Sequence, residues 1–359
     1  RDNPPWVENG KGGPHDRSRS GYFLGLNRNK YGVTLNLKNP KGLKIFKDLV
    51  KISDLVVENY TPGVMKKLGI DYPVLREINP RVILVSISGF GQDGPYASKM
   101  AFDIVAQAMS GFISLTGHPD SPPTKAGTSL GDVNAGVHGA FAAMVALWHR
   151  EKSGMGQHVD LSMQEAMISI LENAIVRWTI GGVLQGPIGS MNPNDAPMAA
   201  FRCKDGYIII CTVGDEHWGR FCRALGRAEW IDDPGYANKQ LRWAKKYILQ
   251  EQIEKVTTRY TVQEVENMME QGRVATSRIL NVREVVDDPH LKERGYFVDV
   301  EHPIIGNAKI PGMPFKMSET PGSVERPSPL VGEHNESILT RYLGFSPDDV
   351  QVLKKEGVL

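Results

Sequence analysis

The apolar positions of the first half of the chain fall into short runs separated by turn residues and by stretches of helical period. Residues 32–37 alternate as a strand does. Lys38-Asn-Pro-Lys-Gly42 then introduces a helix expected from about Leu43 to Ile52. Residues 54–58 read as a short buried strand. It ends in Asn59-Tyr-Thr-Pro-Gly63, a turn that opens the next helix. Residues 82–87 form a second apolar strand, followed by Ser88-Gly-Phe-Gly-Gln-Asp-Gly-Pro95. Strands alternating with helices at this spacing imply a parallel α/β sheet with helices on both faces. Sites in such sheets lie at the carboxyl ends of strands. Glu58-Asn59-Tyr60, Ser88 to Gln92 and Asp132 are expected at such ends.

The longest apolar stretch runs from Ala135 to Glu151. Val137, Phe141, Val145 and Trp148 recur at three- and four-residue spacing, so a buried helix with that face inward is expected. Gly136, Gly139, Ala140, Ala142 and Ala143 allow neighbours to come close. Asp160-Leu-Ser-Met-Gln-Glu leads into a second long apolar helix, to about Ile180. Residues 181–197 are rich in Gly and Pro and read as a linker. A different pattern follows: a strand at 207–212, a helix at 216–225 and a charged amphipathic helix at 240–258. Another helix spans 261–271, where Thr261 and Glu264 have capping-box spacing. The expected division is therefore a large domain over 1–190, a small α+β domain over 198–300 and a tail over 301–359. The tail, with a helix at about 335–343, has no obvious core of its own and is expected to dock on the first domain. Residues 1–19 read as an irregular surface segment. Gly10-Lys-Gly-Gly within it is too short for a phosphate loop and follows no strand.

Composition narrows the picture. The 359 residues are 41% hydrophobic and 23% charged, with a formal charge of +1. This is ordinary for a globular protein and long enough for two domains. Near-neutrality gives no general attraction to nucleic acid or an anionic membrane, so a bound anion must meet a local cluster. No unbroken run of about 18 apolar residues occurs, so no transmembrane helix is expected. Cys203, Cys211 and Cys222 form no CxxC pair and no zinc signature. They are expected to be reduced thiols of a cytoplasmic protein.

Gly127-Thr-Ser-Leu-Gly-Asp132-Val-Asn134 enters the long helix, which places Asp132 near its N-terminus. Two readings apply. Asp132 or Asn134 caps the helix, or the helix dipole holds Asp132 ionised, with a lowered pKa, for chemistry. Asp160 and Glu165 read as a cap and a helix-surface acid. His138 and His149 read as structural histidines on an apolar helix.

Many short motifs in order now carry a resemblance. They are Leu26-Asn-Arg-Asn-Lys30, Leu35-Asn-Leu-Lys38-Asn-Pro-Lys-Gly42, Val57-Glu-Asn59-Tyr60-Thr-Pro-Gly63 and Asn79-Pro-Arg-Val-Ile83. Next come Ser88 to Pro95, Asp103-Ile-Val-Ala-Gln107, Gly131-Asp132 and Gly154-Met-Gly-Gln-His-Val-Asp160. Asp288-Pro289 and Gly332-Glu-His334 follow. Over nearly its whole length the chain resembles the family III coenzyme A transferases, which include formyl-CoA transferase and carnitine CoA-transferase, with α-methylacyl-CoA racemase as a relative.

The resemblance implies a Rossmann-like large domain with a parallel sheet, a smaller α+β domain and an interlocked homodimer. It implies Asp132 as nucleophile toward an acyl-CoA thioester and Asp103 as an acid beside it. Leu35, Lys38, Asn59, Tyr60, Lys67 and Leu68 match positions near the CoA nucleotide, and Phe102 an aromatic position beside the nucleophile. Lys38 and Lys67 would meet phosphates. Coenzyme A is then a co-substrate, and no metal or redox cofactor is expected. Met167, Trp178, Met191 and Met198 point weakly to an apolar acyl chain. The family also implies a βα unit ahead of Arg1, where this sequence starts in a loop-like segment.

Two departures stand out. The racemase branch has a histidine where this chain has Phe102, so its two-base arrangement is absent. Residues 181–198 hold only the glycine pair Gly181-Gly182, where several transferases carry a glycine-rich loop. The expected activity is acyl-CoA:carboxylate CoA transfer. The alternatives are an acyl-CoA isomerase or racemase using Asp132, and a non-catalytic partner subunit.

Overall fold

A computed structural model describes residues 1–7 and 17–359. The reading of Gly10-Lys-Gly-Gly lies outside the described residues. The chain forms two compact units, each discontinuous in sequence. One comprises Arg1–Ser88, Gly139–Asp160 and Val282–Leu359; the other comprises Gly89–His138 and Leu161–Asn281. This partition by compactness follows different boundaries from the segments 1–190, 198–300 and 301–359.

The first unit is α/β. Leu55–Glu58 pairs in parallel with Ile83–Ser88, with Leu55 opposite Ile83 and Glu58 opposite Ser86. His158–Ser162 completes a three-stranded sheet in which Ile83–Ser88 is central. The helix Pro40–Val50 starts three residues before the expected Leu43: Asn39 caps it and Pro40 occupies the first turn. Gly156 is required beside the sheet. A Cβ there would lie 1.9 Å from the carbonyl oxygen of Val82.

The long helix, Leu130–Ser153, begins five residues before the expected start. No strand precedes it, so Asp132 sits inside the first helical turn rather than at a strand end. Its inward face is also the reverse of the expected one. Gly131, Ala135, Gly139, Ala143, Ala146 and Arg150 are buried, while Val137, Phe141, Val145 and Trp148 are exposed. Close approach explains the reversal. Ala143 and Ala146 pack directly on Ile83 and Val85 of the sheet. A Cβ on Gly139 would already stand 3.2 Å from Ile87 Cδ1. Small side chains fit that gap and large ones are turned outward. At the far end the buried Arg150 donates to Asp54 Oδ1 at 2.9 Å and to the carbonyl of Arg81 at 3.3 Å. This helix is long and apolar enough to cross a membrane by length and composition, contrary to the expectation from unbroken runs. Its small-residue face packs on the sheet, while 28% of the span is buried in all.

Residues 32–37, expected as a strand, join no ladder. Their backbone bonds go to the tail instead. Asn36 N–H donates to the carbonyl of Val358, Thr34 N–H to Asn335 Oδ1, and Gly32 N–H to His334 Nδ1. The tail therefore docks on this unit. Leu339, Val350, Leu353 and Val358 enclose Ile45, with Leu35 packed against them. The tail also holds features the pattern did not announce: an antiparallel hairpin of Phe297–His302 with Gly306–Pro311, and a last helix, Pro347–Lys355, opened by a capping box at Ser346.

The second unit contains an antiparallel sheet ordered Met198–Arg202, Tyr207–Cys211, Ala275–Arg278. Its core gathers Phe201, Ile208, Ile210, Trp218, Phe221, Leu249 and Ile253. The capping box of Thr261 and Glu264 opens the helix Val262–Gln271, as expected. Two expected helices are broken. The stretch to Ile180 becomes a strand end and two short helices, Met163–Ile168 and Ala174–Thr179, because Glu172 takes a left-handed backbone (φ 50°). The 240–258 helix divides into Lys239–Ala244 and Lys246–Thr257 at Lys245 (φ −101°, ψ 17°). Just before that break the buried Arg242 donates to the carbonyls of Ala196 and Tyr236 and to Asp215.

Candidate active site

Within the second unit the first turn of the long helix is tied to the helix Asp103–Met109. Gly131 N–H donates to Asp103 Oδ1 at 2.7 Å. A Cβ on Gly131 would lie 3.1 Å from that same oxygen, so glycine before Asp132 permits the contact. The other oxygen, Asp103 Oδ2, accepts from Gln107 Nε2 at 2.8 Å, and Gln107 Oε1 accepts from Ala126 N–H at 2.9 Å. Asp103 therefore lies beside the residue before Asp132, close enough for its charge to act on the Asp132 carboxylate. Gln107 stands in the quoted Asp103–Gln107 motif, yet the sequence reading gave it no role. The available signal was its four-residue spacing from Asp103, which puts both on one helix face.

The two carboxylates differ in kind. Asp103 accepts two hydrogen bonds. Among the described residues none donates to the carboxylate of Asp132, which is exposed. Asp132 is therefore not acting as a side-chain cap. Asn134 is not one either: its amide donates to the carbonyl of Ala166 at 2.6 Å. The expected lowering of the Asp132 pKa is also reversed. Surrounding protein and then the charge of Asp103 push it above the ordinary 3.8.

Phe102 precedes the Asp103 helix at its N-cap position and is 71% exposed. His138 is satisfied as a structural histidine, with Nδ1 against the carbonyl of Asn134 and Nε2 near Ser169 Oγ. Asp160 lies on a strand rather than at a cap, and Glu165 is an exposed acid in the first turn after the cap Ser162. The four residues taken as a possible acyl pocket do not form one set. Met191 and Met198 line the same small crevice, whereas Met167 is fully buried and Trp178 is exposed.

The first unit carries the positions matched to the nucleotide. Asn59 and Tyr60 follow the carboxyl end of Leu55–Glu58 and are exposed; Glu58 fixes the turn by accepting from Tyr60 N–H at 2.7 Å. Lys67 ends the short helix Val64–Lys67 with its side chain exposed. Lys38 is exposed in the turn before Pro40–Val50, where its N–H donates to Asn36 Oδ1. Leu68 and Leu35 are half-buried, the first against the cluster of Val50, Met65 and Leu75, the second against the tail. Each offers only part of its apolar surface. Among the described residues no group of three His, Cys, Asp or Glu side chains is placed to hold a metal. The three thiols are free, and burial pushes Cys203 up to about 11 and Cys222 to about 12.

Known proteins match this chain along its length. The sequence profile described as CoA-transferase family III matches residues 4–335. A succinyl-CoA–D-citramalate CoA-transferase of Chloroflexus aurantiacus is 34% identical over 344 residues, covering 96% of this chain and 86% of that one. A succinate–glutarate CoA-transferase of Agrobacterium fabrum is 35% identical over 338 residues, covering 94% and 83%. The crystal structure of a CAIB/BAIF family protein from Brucella suis superimposes with a TM-score of 0.80 at 30% identity, over 90% of this chain and 84% of that one.

The raised pKa of Asp132 has a consequence for stability. A carboxylate whose pKa is higher folded than unfolded binds its proton more tightly in the native state. It therefore costs stability as pH rises from 3.8 through the raised folded value, and no more above it. Asp132→Asn removes that cost. Its stability relative to the native chain should climb across this window and then level off, as urea unfolding of both proteins over a pH series would show. A relative stability that falls with rising pH would contradict the raised pKa.

Proposed function

Because this chain belongs to CoA-transferase family III, we propose that it moves coenzyme A from an acyl-CoA to a free carboxylate through covalent intermediates on Asp132. The observation that carries this reading is the unpartnered Asp132 carboxylate in the first helical turn, beside a fully engaged Asp103. A carboxylate oxygen of Asp132 attacks the thioester carbon, the C–S bond breaks, and CoA leaves as thiolate. The thiolate then attacks the Asp132 carbonyl of the mixed anhydride and releases the donor carboxylate, leaving an aspartyl-CoA thioester. The acceptor carboxylate attacks that thioester and expels the thiolate again. Attack of the thiolate on the acceptor carbonyl gives the new acyl-CoA and restores Asp132. Each step replaces one difficult transfer by easier ones.

Coenzyme A is the co-substrate of this family, and these steps require no further cofactor. Lys38 and Lys67 are assigned to its phosphates, and Asn59, Tyr60, Leu35 and Leu68 to the nucleotide. Phe102 is assigned a place beside the thioester. The acceptor class is proposed to be a short dicarboxylate, since citramalate and glutarate in the relatives' names are both dicarboxylates. The site of activity is proposed to be the cytoplasm. The functional form is proposed to be an interlocked homodimer. In support, Val133, Val137, Phe141, Met144, Val145 and Trp148 make an exposed apolar stripe along the long helix, more than a lone surface helix presents to water.

The covalent step is tested with succinyl-CoA. Hydroxylamine should trap a hydroxamate on Asp132 during turnover, located by peptide mass spectrometry. Asp132→Asn should abolish transfer with CoA binding intact, because the amide is nearly isosteric but a poor nucleophile. Full activity in that variant would remove the mechanism. An isomerase would instead form no adduct and would wash solvent deuterium into the substrate α-carbon.

Lys67→Ala should raise KM for every acyl-CoA donor by a similar factor and leave kcat unchanged, because it removes uniform binding. An altered preference among acyl groups would move Lys67 away from the phosphates.

Light scattering at submicromolar concentration should give the mass of a dimer. A folded monomer under those conditions would overturn the assembly.

A further inference from the structure

Gln107 is a buried polar side chain that the mechanism above does not use. It has no exposed surface, on a short helix with Asp103 at its start. The backbone N–H of Ala126 can only donate, so the amide oxygen of Gln107 must face it. That orientation leaves the Gln107 NH2 group facing Asp103 Oδ2, and Asp103 Oδ1 grips Gly131 N–H. One relay of two side chains therefore holds both ends of the segment Ala126-Gly-Thr-Ser-Leu-Gly131, which leads directly to Asp132. Regular helix starts only at Leu130. The backbone bonds at the entry are Leu130 N–H to Thr128 and Val133 N–H to Ser129. Gly131 N–H belongs to the first turn of the helix, where no intrahelical acceptor exists.

We propose that Gln107 is a positioning residue for acyl transfer: through Asp103 and Gly131 it fixes the place of the Asp132 carboxylate. The proposal rests on Asp132 being the nucleophile. Asp132 must present first an oxygen and then its carbonyl carbon to successive partners, and small misplacements in such reactions cost large factors in rate. The relay also defines Asp103. Both its oxygens accept charge-assisted hydrogen bonds, so it acts as an acceptor that orients Gly131, not as an acid or base toward substrate.

The chemistry of the relay supplies its own test. Gln107→Glu can still accept from Ala126, but when ionised it offers no donor to Asp103 and sets two carboxylates face to face; a shared proton would restore that bond only at low pH, so the rates are compared over a pH series and the defect should deepen as pH rises. With succinyl-CoA as donor, hydroxamate formation on Asp132 should slow by about 100-fold, while the half-saturating succinyl-CoA concentration stays within about twofold. The reciprocal double variant, Asp103→Asn with Gln107→Glu, restores every bond. The asparagine NH2 donates to the new glutamate, its oxygen accepts from Gly131, and the glutamate accepts from Ala126. It should regain the rate to within about tenfold of the native enzyme. An unchanged rate in Gln107→Glu, or a double variant no faster than the single one, overturns the proposal. So does a variant with a lower Tm but the native rate per hydroxylamine-trappable site, since that is the mark of a purely structural role. Hydrogen exchange on the native protein needs no variant: the Ala126 and Gly131 amides should be protected, and rapid exchange at both overturns the relay. Absence of any adduct on native Asp132 overturns the transferase reading along with it, whereas a native adduct with an indifferent Gln107 overturns the relay alone.

Discussion

The close approach of the long helix to the parallel sheet is the constraint on which most of the fold depends. Glycine and alanine at every third or fourth position let Leu130–Ser153 lie against Ile83 and Val85 with no room for larger side chains. Alanines buried in such contact contribute dispersion more than transfer energy, because their apolar area is small. Arg150 fixes the far end. A guanidinium that is almost fully buried requires acceptors, and it finds them in Asp54 and the carbonyl of Arg81, just ahead of the amino ends of two adjacent strands. The same geometry turns Phe141, Met144 and Trp148 outward.

At the start of that helix, two neighbouring aspartates are driven to different uses by their surroundings. Asp103 is satisfied twice over, by an amide and by a backbone N–H. Among the described residues none donates to Asp132, and although its side chain is exposed, the surrounding protein and then the charge of Asp103 push its pKa up. Gly131 makes the arrangement possible, because any side chain there would press on Asp103.

The antiparallel sheet around Phe201, Ile208 and Ile210 has a self-sufficient core. Trp218 stacks on Trp230, meets Tyr236 at a tilt and lies under Arg242, whose buried guanidinium reaches Asp215 and two carbonyls. None of the residues assigned to chemistry or to the nucleotide comes from this sheet or this cluster. Its buried thiols, pushed up in pKa, are inert packing groups.

Local pattern alone determined the elements whose causes are local. The parallel pairing of 55–58 with 83–88 follows from short apolar runs alternating with helices. The Thr261–Glu264 capping box follows from two residues three apart. The family was legible because many short motifs occur in order. Three decisions belonged to the tertiary structure. The pattern shows that the long helix has a large apolar face and a small one, but only the width of the gap beside the sheet chooses which is buried. Residues 32–37 alternate like a strand, yet a strand needs a partner, and theirs is the tail some three hundred residues later. Gln107 and Asp132 become one device only when Ala126 and Gly131 are folded against the Asp103 helix, because a hydrogen bond between residues 19 or 28 apart has no local signature.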